Sequence, residues 1–120
     1  MLRVGEMELD TCELESGILS ISLVGKLDVL GARKIDTEFA ALTTTSKAAV
    51  LVDLSKVTLL ASIGIRTLVS SAKAQQRCGG AMVLYQPTSL VEKALRSTGI
   101  DAIIPIAHDM TAARGALGIA

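Results

Sequence analysis

The run Ala48-Ala49-Val50-Leu51-Val52-Asp53-Leu54 constrains this chain more than any other segment. It is apolar at odd and even positions alike, which is how a strand covered on both faces reads. Such strands belong to parallel sheets packed by helices. A helical period follows: Ile65, Leu68, Val69, Ala72 and Gln76 fall at i, i+3, i+4, i+7 and i+11. The spacing predicts a helix over residues 63–77, closed by Gly79-Gly80, because glycine accepts the left-handed backbone of a helix C-cap.

The same alternation continues downstream. An apolar strand is expected at 81–85, and a helix at 87–97 with Leu90, Val91, Ala94 and Leu95 inside. Gly99 stops that helix, and a short strand at 103–106 and a helix at 110–117 follow, with Met82 and Met110 as core fillers. Upstream, residues 6–15 read as an edge strand, and Ser16-Gly17 as a turn. Residues 18–24 pair back as a hairpin, with Leu19, Ile21 and Leu23 on one side. A helix over 32–42 buries Ile35, Phe39 and Leu42. The order β-β-α-β-α-β-α-β-α predicts an α/β fold with about four helices, an antiparallel N-terminal hairpin and parallel pairing thereafter. Its 120 residues suit one domain over 1–120.

Composition removes several function classes. Twelve basic and twelve acidic residues leave no net charge, so nothing argues for a nucleic-acid partner, and an aromatic content of 2% gives few platforms for stacking bases. Balanced charge with an apolar bias leaves room for self-association into a homodimer. Cys12 and Cys78 match no metal or redox spacing and read as reduced thiols of a cytoplasmic protein. Glu6, Glu8, Asp10, Glu13 and Glu15 at the start do not suit a secretory leader, and no apolar run is long enough for a transmembrane segment.

Enzyme chemistry finds little support. The one histidine, His108, lies beside Asp109 at a helix start and reads as solvated or capping, so neither a metal site nor a cofactor is expected. No phosphate-binding glycine loop is present. Ser62, His108 and Asp28 make a triad only on paper, without a nucleophile elbow. Asp28 and Asp53 could meet at strand ends, but read more simply as solvated carboxylates.

The stretch from Asp53 to Arg66 carries the most information. A strand ending near Asp53 should give way to a loop pinned to the core by Val57, Leu59 and Leu60, and a helix should open at Ser62. Serine is a strong N-cap, so capping is its minimum role. A phosphate there would add about −1.5 to −2 charges, which the helix dipole tolerates, so its effect would fall on a docked partner. Gly64 would let another backbone approach closely. Arg66, Thr67, Ser70, Lys73 and Arg77 would form the outward face of the helix, either solvated or docking.

Asp53-Leu54-Ser55, Val57 and Leu60-Ala61-Ser62-Ile63-Gly64-Ile65, with Gly25-Lys26-Leu27-Asp28 upstream and Leu95 to Ile100 downstream, resemble the motifs of STAS domains of the bacterial anti-sigma factor antagonist type. The resemblance spans about residues 5–117. It implies a non-enzymatic partner switch: the domain binds a serine-kinase anti-sigma factor, which phosphorylates the serine matching Ser62, and a phosphatase reverses the change. It implies partner contacts at Asp28, Ala61, Ser62, Ile63, Gly64, Ile65 and Arg66, with Asp53, Ser55 and Thr58 supporting the site. Ala61 stands where the family has aspartate, and Ile63 where it has serine or threonine. The first removes an acid from the segment a kinase would read, and the second adds apolar surface. STAS-like domains also serve as constitutive subunits of signalling scaffolds and lipid transporters, which leaves a second reading in which Ser62 is not modified. Nucleotide or small-ligand binding at the strand ends is a third.

Overall fold

The computed structural model describes residues 7–14, 17–43 and 49–119. The N-terminal hairpin is β1 (Glu8–Glu13) and β2 (Ile18–Leu27), paired antiparallel from Glu8↔Val24 to Glu13↔Leu19. Gly17 supplies a positive φ in its turn, and Ser16 lies outside the described residues. Then come α1 (Val29–Thr43), β3 (Ala49–Leu60), α2 (Ser62–Arg77), β4 (Ala81–Tyr85), α3 (Ser89–Ser97), a 3-10 turn (Ile100–Ala102), β5 (Ile106–Ala107) and α4 (Met110–Ala116). The sheet order is β1-β2-β3-β4-β5, parallel from β2 onward.

Because the parallel strands advance across the sheet in one direction, crossovers of one hand put their helices on one face. Ala32, Ile35 and Phe39 of α1, Leu68 and Ala72 of α2, and Val91 and Leu95 of α3 pack there on Ile21, Leu23, Val50, Val52 and Leu84. The last helix follows the last strand and covers the other face, where Ala113 and Leu117 meet Ile18, Leu51, Val83 and Ala107. Leu51 and Val52 point to opposite faces and are 2% and 0% exposed, which is why the run around them is apolar throughout.

Three expectations are corrected. β3 does not end near Asp53 but runs on to Leu60 beside a β2 that is itself extended to Leu27. The pairing slips between Ser22 and Val24, and again between Gly25 and Lys26, and each slip gives β3 one extra residue. The extra residues break the period-2 pattern, so the segment looks like a loop in the sequence. Val57 is buried, but Leu59 is 41% exposed rather than pinned to the core. Leu90, expected inside α3, is exposed: Thr88 caps that helix by accepting from the Val91 amide at 3.3 Å, and Val91 with Leu95 forms its inner edge. The short final strand lies at Ile106–Ala107, after the 3-10 turn.

Candidate functional site

The C-terminal end of β2 holds the start of both helices that follow it and β3. The Leu27 carbonyl accepts from the Ala61 amide at 3.0 Å, and the Asp28 carboxylate accepts from the Gly31 amide at 2.9 Å, capping α1. This cap starts α1 at Val29, ahead of the apolar spacing that suggested residue 32. Asp28 and Ser62 each follow one partner of the Leu27–Ala61 hydrogen bond, so the two are brought to the same corner.

Gly64 is pressed against that corner. A Cβ on it would lie 2.6 Å from both the Leu27 carbonyl oxygen and the Leu27 Cγ, so the close approach expected of this glycine is present. Gly31 meets the neighbouring carbonyl of Lys26 in the same way.

Ser62 itself lies one position later than the sequence suggested. Ala61 is the N-cap, extended at φ −94° and ψ 167°, and its carbonyl accepts from the Ile65 amide at 3.1 Å to close the first turn. Ser62 is the first helical residue and is exposed. Its hydroxyl is therefore not consumed as a cap, and it has no hydrogen bond among the described residues. The first turn of α2 contains no acidic side chain, so the positive end of the helix is uncompensated there.

Arg66 is exposed one turn beyond Ser62. Ile63 and Ile65 are half-buried against the core, so Ile63 adds less exposed apolar surface than its position suggested. Thr67 is buried and donates to the Ile63 carbonyl at 3.1 Å, which removes it from the outward face of α2. Asp53, Ser55 and Thr58 belong to the β3 irregularities. The Asp53 carboxylate accepts from the Ser55 amide at 2.9 Å, and the Thr58 hydroxyl donates to the Gly25 carbonyl at 3.4 Å. Asp53 pairs with Ser22, and Asp28 follows Leu27, which pairs with Leu60. The two carboxylates are thus about 20 Å apart along the strands and form no pair.

The sequence did not single out the apolar side chains around the corner. Val29 and Leu30 at the start of α1 are 52% and 75% exposed, whereas Leu59 faces the side of the sheet opposite Leu27 and Leu60. The signal was present in Val29-Leu30, two branched apolar residues directly after a capping aspartate. Beside them a groove of about 360 Å³ runs between α1 and α2, lined in part by Arg33, Asp36, Ile63, Arg66 and Ser70.

The paper triad does not assemble. Asp28 is engaged by the Gly31 amide, and His108 follows β5, about 14 Å across the sheet by strand spacing alone. His108 is not simply solvated: its Nε2 lies 2.9 Å from Glu92 Oε1 on α3, while Asp109 caps α4 by accepting from the Ala112 amide at 2.8 Å. Glu92 also accepts from Arg96 Nε at 2.8 Å, and this bond, opposed by burial and aided by His108, holds its carboxyl below the usual glutamate value of 4.5. A carboxyl held low stabilises the fold above its unfolded pKa, and the benefit disappears as pH falls through the folded one. Urea titrations across pH should therefore show that Glu92→Gln loses less stability below about pH 4.5 than the native protein does, by under about 1 kcal/mol because Arg96 and His108 face solvent. Among the described residues no cluster could hold a metal ion, and no helix is long and apolar enough to cross a membrane.

Fold and corner together define a mixed α/β domain that presents a helix-start serine beside the C-terminal ends of its central strands. A family model described as "Mlab, STAS domain" matches residues 11–105, and the chain belongs to the STAS domain family. It is 26% identical over 106 residues to BtrV of Bordetella bronchiseptica, named as an anti-sigma factor antagonist, covering 88% of this chain and 91% of that one. Its fold is similar to that of an anti-sigma factor antagonist from Mycobacterium paratuberculosis, with a TM-score of 0.82, 19% identity and coverage of 98% and 99% of the two chains. It is also similar to the Bacillus cell fate determinant SpoIIAA in its phosphorylated form, with a TM-score of 0.64, 15% identity and coverage of 88% and 96%.

Proposed function

We propose that this protein is a cytoplasmic anti-sigma factor antagonist. Its surface around Asp28, Ser62, Gly64 and Arg66 binds a serine-kinase anti-sigma factor, and phosphorylation at Ser62, reversed by a phosphatase, releases that partner. It acts by binding, without a catalytic group or cofactor of its own, as a single domain over residues 1–120. The observation that carries this reading is the exposed Ser62 hydroxyl, not used by the fold, at the corner from which α1 starts with exposed Val29 and Leu30. A phosphate would meet the open amide end of α2, so the domain would stay folded while the surface beside Val29 and Leu30 acquired a charge of about −2. Burying that charge in an interface is costly, and the partner leaves.

Ser62→Asp should abolish binding of the anti-sigma factor in a pull-down, and Ser62→Ala should preserve it. Incubation with that kinase and ATP should yield one phosphopeptide containing Ser62 by mass spectrometry. Equal binding by both variants would reject the switch.

A second reading draws on the same corner. Ala61 leaves it without the acidic neighbour the family motif carries, and Val29 and Leu30 beside it are exposed. In that reading the protein is a constitutive subunit and Ser62 is never modified. Absence of any phosphopeptide, with a stable complex that survives Ser62→Asp, would favour it.

A further inference from the structure

The acids and bases of this chain cancel overall but are not evenly placed. The three acids of β1, Glu8, Asp10 and Glu13, lie at one edge of the sheet. Helix α2 contains no acid at all over its 16 residues, while it carries Arg66, Lys73 and Arg77. Ser62, Arg66, Ser70, Lys73 and Arg77 are all exposed, and their spacing of i, i+4, i+8, i+11 and i+15 puts them on one stripe about 22 Å long. Across the groove, α1 adds Arg33, and Asp36 is the single acid among the groove residues. Among the described residues none of Arg33, Arg66 and Lys73 is in an ion pair. A helix that offers only one sign of charge toward solvent, leading away from an apolar corner, is not a mixed solvated face.

We infer that the α2 stripe and the α1/α2 groove dock an acidic protein surface, with Asp and Glu side chains of the partner over Arg66 and Lys73 and its apolar residues on Val29 and Leu30. This rests on the reading of Ser62 as the partner site, which it deepens by giving the sign of the partner's charge. A protein fits better than a membrane or a nucleic acid. The chain has no net positive charge to hold a polyanion, few aromatics to stack bases, and exposed branched apolar residues beside the stripe. The same charge pattern explains how the switch would act. A phosphate on Ser62 stands one helical turn before Arg66, the spacing at which opposite charges pair along a helix. It would neutralise the first cation of the stripe and repel the acids that approach it.

The test has two arms. In the first, the intact protein, labelled with 15N, is titrated with two model amphipathic helices, one of Glu and Leu and one of Lys and Leu. Shifts confined to α1 and α2 with the Glu peptide and none with the Lys peptide are expected. Equal shifts with both, or shifts elsewhere, would overturn the inference. In the second, association with the anti-sigma factor is timed at about 50 and 500 mM salt for Arg66→Glu and Lys73→Glu, whose exposed positions should leave the melting temperature unchanged. Each is expected to slow association about tenfold at low salt and much less at high salt, while Arg66→Lys stays near wild type. Wild-type rates for both reversals, with binding still lost in Ser62→Asp, would reject the acidic docking surface and leave the Ser62 site standing. Retained binding in Ser62→Asp would reject the site itself. Sedimentation that shows a dimer broken by Arg66→Glu would assign the stripe to a second copy. Binding to phosphatidylglycerol vesicles or to polyuridylate lost in the same variant would assign it to a polyanion. Either result would overturn the proposal.

Discussion

Truncating Phe39 to alanine is expected to cost about 4 kcal/mol of stability. Phe39 is the only phenylalanine in the chain and is fully buried on the inner side of α1. It packs in the cluster that α1, α2 and α3 share with β2, β3 and β4. With tryptophan absent and one tyrosine half-buried elsewhere, no other aromatic fills this layer. Its neighbours are branched aliphatics on stiff strands and cannot collapse fully into the vacated volume. A typical domain holds only about 5–15 kcal/mol in total, so the variant should sit near the limit of folding. Its thermal midpoint should fall by about 15 °C, taking about 4 °C per kcal/mol for a chain of this length. Phe39→Leu keeps most of the volume and should lose about 1 kcal/mol. Urea unfolding followed by circular dichroism measures both. A loss under about 1 kcal/mol for Phe39→Ala would mean that α1 is not held through this side chain.

Much of this fold is legible in the sequence because most of its elements repeat cleanly. The strand around Val50 announces itself through apolar side chains on both faces, and the observed layers explain why: α4 covers Leu51 while the other helices cover Val52. The helical period of α2 is legible from Ile65 to Ala72, but its buried face is turned toward Gly64, Thr67, Ser71 and Gln75, and Gln76, which the spacing placed inside, is exposed. What the sequence hides is what depends on a partner strand. Residues 55–60 look like a loop because two register slips interrupt their alternation, and only the length of β2 beside them shows that they pair. Ser62 is a good capping residue by type, yet the Leu27 carbonyl claims the Ala61 amide and starts the helix one residue earlier. That shift of one position turns Ser62 from a consumed cap into an exposed hydroxyl. Val29 and Leu30 are silent for a related reason: apolar residues in a helical first turn read as core until the cap at Asp28 shows which way they face. His108 reads as a lone histidine because its partner Glu92 is on another element.

The corner that carries Ser62 should be sensitive to the addition of a single methyl group. Alanine is the better helix former, so replacing a helical glycine normally helps by up to about 1 kcal/mol. Gly115 in α4 has nothing within 4 Å of a built Cβ, and Gly115→Ala should raise stability by about 0.5 kcal/mol. Gly64 and Gly31 should respond in the opposite direction. At Gly64 the new carbon would stand 2.6 Å from the Leu27 carbonyl oxygen, which is backbone already held by the Ala61 amide. At Gly31 it would run into the Lys26 carbonyl, with the Cβ of Met7 at 3.2 Å behind it. Relief requires α2 or α1 to lift off the end of β2, and overpacking of this kind costs about 2–3 kcal/mol. The loss should not stop at stability. Lifting α2 moves Ser62 and Arg66 away from Asp28, so a folded Gly64→Ala protein should bind the anti-sigma factor at least about tenfold more weakly, whereas Gly115→Ala should bind as wild type. Chemical denaturation and calorimetric titration of the same preparations separate the two effects. If Gly64→Ala binds normally despite its lower stability, the partner does not read the geometry of this corner, and the docking surface lies farther along α2.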